Sequence, residues 1–317
     1  MIQYRQLGSS GLKIAPLVFG GNVFGWTIDE KKSFSLLDAF WAAGFNCVDT
    51  ADSYSRWVPG NKGGESETII GKWMKQKGNR EKVIISTKVG SDMGQGHKDV
   101  SKKYILKAVE DSLLRLQTDY IDLYQTHWDN ENTPVEETLE AYGELVKHGK
   151  VRWIGASNLS PERLAASLST SKKYNYPAYQ TLQPEYNLYD REKFEKNYLP
   201  ICKAYNLSVI NYYSLASGFL SGKYRSAADL GKSSRGGGIK KYLNERGFKI
   251  LAALDSISTL HQTVPASIAI AWLLQQPTIT APIASATSIE QLHALIAAVT
   301  LPLTQGDIKT LNEASAW

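Results

Sequence analysis

The stretch FNCVDTADSYS, residues 45–55, joins a short apolar run directly to a cluster of polar side chains. Residues 45–48 have the composition of a buried strand, and Asp49 follows them without a spacer. A carboxylate at the end of a buried strand is partly desolvated and therefore requires a partner. The stretch predicts a strand that delivers Asp49 to a polar site, with Tyr54 five residues further along the chain.

Counted with residues 46–49, eight short apolar runs recur along the chain, and stretches with helical spacing separate them. The other seven runs are residues 17–20, 82–88, 120–127, 151–158, 179–183, 207–213 and 278–284. No linker divides the series, so residues 1–317 are expected to form a single domain. Eight βα units in about 300 residues predict an α/β fold of the (β/α)8 TIM barrel type. The alternative is a doubly wound sheet, which has fewer strands and often a GxGxxG turn that this sequence lacks.

The helical stretches carry periodicity and end signals. In residues 101–117 the apolar side chains repeat at the spacing of one helix face, at Ile105, Val109, Leu113 and Leu116. Thr133 is the expected N-cap of the next helix, and Gly149 is expected just after its end. Ser160, followed by a proline, is the expected N-cap of a further helix.

The composition is that of an ordinary soluble protein, with 43% hydrophobic and 21% charged residues. The net charge of +5 is small and the basic residues alternate with acidic ones, which disfavours a nucleic-acid partner. No apolar run approaches ~18 residues, so no membrane partner is expected. Two cysteines without a CxxC motif, and the absence of a signal-peptide pattern, favour a cytoplasmic location.

Three of the predicted strands end in an ionisable residue: Asp49, Lys88 and His127. They lie 39 residues apart in both steps, as successive βα units do. Barrel enzymes build their active sites at these strand ends. Singly, each residue has an ordinary explanation, such as a structural Lys88–Asp49 ion pair, a core histidine at 127, or one of the 17 tyrosines at 54. Their conjunction favours a catalytic cluster of Asp49, Tyr54, Lys88 and His127.

The chemistry of this cluster follows from simple electrostatics. The pKa of a free tyrosine is ~10. An ammonium about 4 Å from the phenol, at an effective dielectric constant of ~20, stabilises the phenolate by roughly 4 kcal/mol. Lys88 is therefore expected to lower the pKa of Tyr54 so that it exchanges protons near neutrality. Asp49 would orient the lysine, and neutral His127 would donate a hydrogen bond to a carbonyl oxygen.

Seven motifs, taken in order, resemble the signatures of the aldo-keto reductase superfamily. They are LGSSGLKIAPLVFGG (7–21), DTADSY (49–54), STKVG (86–90), QTHWD (125–129), GASN (155–158), QPEYNLYDR (183–191) and NYYSLASGFLSGKY (211–224). Within the superfamily, the sequence looks closer to the bacterial reductases and the potassium-channel β-subunit branch than to the mammalian aldose reductases. The resemblance implies a barrel whose bottom is capped by an N-terminal hairpin, and the sequence itself predicts a hairpin with Gly8 and Gly11 around its turn. It also implies reversible hydride transfer between a nicotinamide cofactor, usually NADPH, and a carbonyl, with Tyr54 as the general acid.

The same resemblance implies a set of cofactor-binding residues. Ser157, Asn158 and Gln183 match the residues that hold the nicotinamide carboxamide, and Tyr213 matches the aromatic residue that stacks on the nicotinamide. The pyrophosphate loop corresponds to Ser214, Leu215 and Gly218. Residues 217–246 contain seven Lys or Arg, which form either a solvated face or a mobile flap over the cofactor phosphates. Lys223 and Arg235 are the expected phosphate contacts.

The adenine end of the predicted site departs from the family pattern. Thr287 and Gln291 match it, but Ser285 replaces a glycine and an Ala294–Leu295 pair replaces Glu-Asn. NADP is the cofactor that the resemblance implies, and these departures at the adenine end leave NAD as the alternative. The five histidines lack paired-ligand spacing, so no metal site is expected.

Two features of the function stay open at the level of the sequence. The first is the substrate, a small carbonyl or alcohol, for which Trp26, Trp57 and Trp128 suggest flat aromatic walls suited to sugar-like or aromatic compounds. The second is the class of protein, because an NADPH-binding regulatory protein or sensor with little turnover would carry the same residues. The sequence fixes no oligomeric state.

Overall fold

Eight parallel strands form the central sheet in the computed structural model, which describes residues 2–317. The strands of the chain are β1 (Arg5–Gln6), β2 (Lys13–Ile14), β3 (Val18–Gly20), β4 (Cys47–Asp49), β5 (Ile84–Val89), β6 (Ile121–Thr126), β7 (Val151–Ser157), β8 (Thr181–Gln183), β9 (Ser208–Val209) and β10 (Ile283–Ala284). The helices are α1 (Glu30–Ala42), α2 (Glu65–Lys77), α3 (Lys102–Leu116), α4 (Val135–Lys147), α5 (Pro161–Tyr174), α6 (Leu199–Ala204), α7 (Glu245–Leu260), α8 (Pro265–Leu274), α9 (Ile289–Ala298) and α10 (Gln305–Ala314).

The parallel strands curl into a barrel. Their order is β10-β3-β4-β5-β6-β7-β8-β9, so consecutive strands are neighbours throughout. The two ends of this series meet, because the Ile283 amide donates to the Asn211 carbonyl at 2.9 Å and the Thr280 amide donates to the Val209 carbonyl at 2.8 Å. At least one helix follows each parallel strand. The predicted (β/α)8 barrel is confirmed, and the doubly wound alternative is wrong.

One of the two predicted N-caps is confirmed. Ser160 caps α5 by accepting a hydrogen bond from the Arg163 amide, and α3 buries the predicted apolar face. Thr133 is not the N-cap of α4, as the sequence predicted. The helix begins one residue later because Pro134 has extended backbone angles (φ −57°, ψ 140°) and occupies the cap position itself. Gly149 lies just beyond the end of α4 with φ 72°, the conformation expected there.

The N-terminal hairpin closes the bottom of the barrel. β1 and β2 pair antiparallel, and Gly8 and Gly11 take positive φ values in the turn between them. The Gly8 amide donates to the Ser208 hydroxyl at 2.7 Å, where β9 begins. Leu7 and Ile14 are buried in one cluster with side chains from the barrel interior, including Val18 and Leu123. This end of the barrel is therefore a packed floor, and the open end lies at the carboxyl ends of the strands.

Three short 3-10 segments form the long connection between β9 and α7: Ala216–Ser221, Ala227–Lys232 and Gly236–Tyr242. Within residues 2–317 no single helix is long and apolar enough to cross a membrane. Only α7 and α8 taken together reach the required length and composition, and they are bent by 97° at the break between them.

Candidate active site

The pleat of the barrel strands places one row of polar side chains on the inner face. Asp49 pairs in register with Ser86, and Lys88 pairs with Gln125. Side chains two residues apart on a strand point to the same face, so Ser86 and Lys88 share one. The Ser86 hydroxyl donates to Asp49 Oδ1 at 3.2 Å and accepts from Gln125 Nε2 at 2.7 Å. The strand therefore brings Lys88 one layer above Ser86, next to the end of β4.

Asp49, Lys88 and Tyr54 form a closed triangle at the open end of the barrel. Lys88 Nζ lies 2.6 Å from Asp49 Oδ2 and 2.8 Å from the Tyr54 hydroxyl. It also donates to the Thr50 carbonyl at 2.7 Å. These three acceptors are as many as an ammonium has protons, so Lys88 is fully satisfied although its side chain is completely buried. The Tyr54 oxygen accepts from Lys88, and its own proton faces only a long, 3.3 Å contact with Asp49.

The pKa of Tyr54 differs in direction from the sequence prediction. Burial raises the pKa of the Tyr54 hydroxyl well above its usual range, and the Asp49 carboxylate adds to the rise. The electrostatic prediction counted the positive charge of Lys88 alone. In the structure Asp49 neutralises that charge at 2.6 Å, and burial disfavours the phenolate. Tyr54 is therefore a protonated phenol at neutral pH, the form that can donate a proton.

His127 follows β6 and lies against Tyr54. The two rings meet edge to face, with centroids 5.9 Å apart. His127 Nδ1 is 3.0 Å from the Ser91 hydroxyl, which itself accepts a hydrogen bond from Ser53 at 3.1 Å. A Ser91 hydroxyl that donates to Nδ1 leaves the imidazole proton on Nε2. Burial, followed by the positive charges of Lys88 and Lys98, lowers the pKa of His127 well below its usual value, so the ring is neutral at physiological pH.

A cavity of about 1070 Å³ opens above this cluster. It lies at the upper end of the ~300–1,000 Å³ range of ligand pockets. Lys88 lies beneath the cavity and reaches it through Tyr54 and Asp49. All the other predicted site residues line it: Asp49, Tyr54, His127, Ser157, Asn158, Gln183, Tyr213, Ser214, Leu215, Gly218, Lys223, Arg235, Thr287 and Gln291.

The three polar residues predicted to hold a carboxamide are linked to one another and to the triangle. Ser157 Oγ donates to the Gln183 carbonyl at 2.8 Å and accepts from Asn158 Nδ2 at 3.0 Å. Asn158 Oδ1 accepts from the Tyr212 hydroxyl at 3.0 Å, and Gln183 Nε2 donates to Asp49 Oδ1 at 2.8 Å. The orientation of both amides is thus fixed. Gln183 Oε1 has no hydrogen-bond partner among residues 2–317 and can accept from a carboxamide.

The loop after β9 turns sharply at the cavity wall. Tyr213 has φ 53°, a left-handed conformation that is uncommon for a tyrosine, and its side chain is 47% exposed. Gly218 has φ 98°, and a Cβ there would lie 3.3 Å from Lys223 Cε. The glycine thus lets Lys223 pass close to the backbone, and the loop brings an aromatic face and a basic side chain to the same cavity.

Most of the basic side chains in residues 217–246 are occupied elsewhere. Arg225 pairs with Asp255, Lys232 pairs with Asp229, and Arg246 donates to carbonyls near the C-terminus. Lys223 and Arg235 line the cavity, and neither has a carboxylate partner within the part of the chain that the structure describes.

Arg235 is held at the cavity wall by weak contacts. Its guanidinium lies 5.3 Å from the Trp26 ring and 3.4 Å from Asn22 Oδ1. Ser285, which replaces the family glycine, donates to the Gly20 carbonyl at 2.7 Å and lies 2.8 Å from the same Asn22 Oδ1. The sequence did not identify Asn22, because no pattern in GGNVFG indicates that this side chain contacts Ser285 and so connects β3 with β10.

The aromatic walls differ in part from the prediction. Trp57 and Trp128 line the cavity, whereas Trp26 lies behind Trp57, with ring centroids 5.4 Å apart. Trp128 packs against His127 at 5.9 Å, and Trp57 packs against Tyr54 at 6.1 Å. Flat aromatic surfaces therefore flank both Tyr54 and His127 in the cavity.

Asp52, inside the DTADSY motif, is a buried acid that the sequence analysis did not single out. Neither carboxylate oxygen has a hydrogen-bond partner among residues 2–317, and Asp52 is 2% exposed. Burial, followed by the nearby charge of Glu67, raises the pKa of Asp52 to about 8, against the opposing charges of Arg115 and Lys88. Asp52 is therefore protonated in the folded protein at neutral pH.

We expect Asp52→Asn to remove a pH-dependent loss of stability. The unfolded aspartate ionises near ~4 while the folded one keeps its proton to about pH 8. Wild-type stability therefore falls as pH rises through this window, by up to about 5 kcal/mol. Urea unfolding at several pH values between these limits should show the variant gaining on the wild type as pH rises. Parallel stability curves for the two proteins would show that Asp52 is ionised in the fold.

No metal site is visible in residues 2–317, because no three His, Cys, Asp or Glu side chains cluster in a way that could hold an ion. Both cysteines, Cys47 and Cys202, are buried and free.

Comparison with known proteins gives consistent matches. The model of the "Aldo/keto reductase family" matches residues 16–316. The chain is 35% identical to the uncharacterized oxidoreductase YrpG of Bacillus subtilis, over 98% of this chain and 95% of that protein. It is 32% identical to the aldo-keto reductase YhdN of the same species, over 98% and 93% of the two chains. It is also 32% identical to a probable voltage-gated potassium channel subunit beta of Oryza sativa subsp. japonica, over 92% and 89%.

Proposed function

The chain belongs to the aldo/keto reductase family, and from that premise we propose that it reduces an aldehyde or ketone to the alcohol with NADPH. One observation carries the proposal. The Tyr54 hydroxyl accepts a hydrogen bond from a buried ammonium at 2.8 Å and lines the same cavity as a neutral histidine. This arrangement suits a proton transfer to a carbonyl oxygen, because the donor is protonated and its conjugate base has a cation in contact.

The proposed division of labour follows from the contacts. His127 Nε2 and the Tyr54 hydroxyl both act on the substrate carbonyl oxygen, the first by hydrogen bonding and the second by giving up its proton. Lys88 stabilises the phenolate that remains, and Asp49 keeps Lys88 charged and in place. A bound nicotinamide cofactor would supply the hydride to the carbonyl carbon. The alcohol leaves with one new C–H and one new O–H bond, and Tyr54 regains its proton from solvent.

The high pKa of Tyr54 also determines how the rates of carbonyl reduction and alcohol oxidation depend on pH. Reduction uses the protonated phenol, which is the dominant form at neutral pH because burial disfavours the phenolate. Alcohol oxidation needs the phenolate, so its rate should rise toward alkaline pH. We therefore propose that carbonyl reduction proceeds readily at neutral pH and that alcohol oxidation is fastest at alkaline pH.

The residues present fit a dinucleotide cofactor. The fixed amides near the triangle suit the nicotinamide carboxamide, and the exposed face of Tyr213 suits the nicotinamide ring. Lys223 and Arg235 lie on the cavity wall, and neither has a carboxylate partner within residues 2–317. Thr287 and Gln291 are hydrogen-bonded to each other through Gln291 Oε1, at 2.9 Å from the Thr287 amide, at the other end of the cavity. We propose NADP as the preferred cofactor, because two cations without carboxylate partners favour an additional phosphate.

We expect Lys223→Ala and Arg235→Ala to weaken NADPH binding more than NADH binding. A lost charge-assisted hydrogen bond to phosphate is worth about 1.5–3 kcal/mol, or roughly 10- to 150-fold in the dissociation constant. Fluorescence titration with both cofactors measures the difference. Lys240→Ala is the matched control, because Lys240 belongs to the same basic run but is exposed and lies outside the cavity. Equal weakening of both cofactors would show that these residues do not read the extra phosphate.

The substrate side of the cavity supports a flat or ring-bearing carbonyl. Trp57 and Trp128 flank Tyr54 and His127, and aromatic faces suit sugar-like or aromatic compounds. We propose that the chain acts in the cytoplasm as one domain.

A regulatory role is the second candidate, and it rests on the relative named as a potassium channel subunit beta. A sensor would bind NADPH tightly and turn over carbonyls very slowly. Single-turnover oxidation of bound NADPH by a panel of aldehydes, ketones and sugars separates the two functions. A complete set of proton-transfer contacts favours turnover.

A further inference from the structure

Asn187 is a buried side chain whose amide is fully committed to local contacts. Its Nδ2 donates to the Tyr213 carbonyl at 3.1 Å and to Asp190 Oδ2 at 3.2 Å. Its Oδ1 accepts from the backbone amides of Tyr189 at 2.8 Å and Asp190 at 2.9 Å. The amide group therefore has no alternative orientation that keeps these bonds, and it links Asp190 rigidly to the backbone of Tyr213.

Tyr213 depends on such support. Its left-handed backbone conformation, with φ 53°, is strained for a residue other than glycine. Its carbonyl is held from two sides, by Asn187 Nδ2 and by the Ala216 amide at 2.7 Å. The ring is thereby presented to the cavity.

Asp190 contacts the end of the basic connection. The Tyr242 hydroxyl donates to Asp190 Oδ2 at 3.0 Å, and Lys241 Nζ lies 3.5 Å from Asp190 Oδ1. Tyr242 is buried and stacks on Phe219, with ring centroids 5.2 Å apart. Tyr242 is thus the point at which the 3-10 segment Gly236–Tyr242 is fastened to the barrel.

These contacts form one continuous series. It runs from the segment that follows Arg235, through Tyr242, Asp190 and Asn187, to the carbonyl of Tyr213. Its two ends are a candidate phosphate contact and a candidate ring contact on the same cavity wall.

We propose that Asp190 is a positioning residue that fastens the segment carrying Arg235 to the barrel and holds Tyr213 in place, so that retention of the cofactor depends on both. The proposal rests on the proposed cofactor site. Asp190 does not line the cavity and contacts no reacting group. Its carboxylate contacts Asn187, Tyr242 and Lys241.

The first test uses Tyr242→Phe, which keeps the stacked ring and removes only the hydroxyl that Asp190 accepts. We expect the NADPH dissociation rate, measured by stopped-flow fluorescence, to rise about 5- to 20-fold, as for loss of part of a hydrogen bond to a charged group. The KM for NADPH should rise with it while kcat changes less than about 2-fold. Tyr198→Phe is the matched control, since it loses a buried hydroxyl bond to the Leu159 carbonyl at 2.8 Å, away from the cavity.

The second test asks whether the effect passes through Arg235. In an Arg235→Ala background, Tyr242→Phe should weaken NADPH binding by a smaller factor than it does in the wild-type background, because only the route through Tyr213 remains. Additive effects of the two substitutions would overturn the proposal, and so would an unchanged dissociation rate in Tyr242→Phe. If Tyr242→Phe does not fold, Asp190→Ala, which removes the acceptor of both hydrogen bonds, replaces it in both tests, with the same direction of effect expected.

A readout without cofactor keeps the proposal separate from the proposed function. Trypsin should cleave after the basic residues between 223 and 246 faster in Tyr242→Phe and Asp190→Ala than in wild type or Tyr198→Phe. Equal cleavage rates in all four proteins would overturn the fastening role. A wild-type protein that binds neither NADPH nor NADH would instead overturn the proposed function, whatever the proteolysis shows.

Discussion

Tyr54→Phe is expected to lower kcat/KM for aldehyde reduction by about 10²- to 10⁴-fold, the usual contribution of a general acid. Only the phenol hydroxyl is lost. The ring keeps its edge-to-face contacts with His127 at 5.9 Å and Trp57 at 6.1 Å. The NADPH dissociation constant should therefore stay within a few-fold of the wild type, because no cofactor contact is assigned to the hydroxyl.

Steady-state kinetics and fluorescence titration on the same preparation measure both quantities. Tyr4→Phe is the matched control, because Tyr4 donates its hydroxyl to the Gly44 carbonyl at the opposite end of the barrel. Reduction at near wild-type rate by Tyr54→Phe would remove Tyr54 from the mechanism and leave His127 as the proton donor.

Lys88→Met is expected to move the pH profile of alcohol oxidation further into the alkaline range. Burial and Asp49 already raise the pKa of Tyr54, and Lys88 is the cation in contact with the phenolate. Its removal raises the pKa again, so the ionised fraction at any given pH falls. A hydrogen bond to a charged group is worth about 1.5–3 kcal/mol, which corresponds to a shift of roughly one to two pH units. Activity near neutral pH should fall by about 10- to 100-fold.

The same variant should be less stable. It leaves Asp49 as an uncompensated buried carboxylate, and breaking a buried pair in this way costs about 3–5 kcal/mol. Urea unfolding gives this cost separately from the kinetics. Asp49→Asn is the companion variant, which keeps the ammonium but loosens its placement and should shift the profile less. A folded Lys88→Met enzyme that keeps the wild-type profile at reduced amplitude would make Lys88 a residue for placement only.

The barrel was predictable because the sequence of each βα unit contains a short apolar run followed by a stretch with the spacing of a helix. The lengths of the strands were not. Residues 207–213 predicted a full strand, yet β9 contains only Ser208–Val209. Asn211 turns its side chain to the Tyr186 carbonyl, the pairing continues beyond Val209 as an isolated parallel bridge between Glu185 and Tyr212, and Tyr213 then adopts a left-handed conformation. Such contacts depend on tertiary structure and leave no periodic signal.

The candidate site was predictable for a similar reason. Asp49, Lys88 and His127 stand at strand ends, and topology alone brings strand ends together. The roles of Asp52 and of the Thr50 carbonyl were not predictable, because burial and backbone orientation decide them. The predicted direction of the Tyr54 pKa shift was wrong as well, because burial and Asp49 together outweigh the positive charge of Lys88. Local patterns thus give the positions of the groups, whereas their protonation states require the three-dimensional structure.

The central proposal, that this chain reduces carbonyls with Tyr54 as the proton donor, has one direct test. NADPH that carries deuterium in place of both nicotinamide C4 hydrogens is incubated with the wild-type protein and a panel of aldehydes and ketones, and the products are analysed by mass spectrometry. We predict an alcohol that carries deuterium on its carbinol carbon, with one deuterium for each cofactor oxidised, and almost none with Tyr54→Phe. A wild-type protein that binds the deuterated cofactor and transfers deuterium to none of the carbonyls would contradict the proposal.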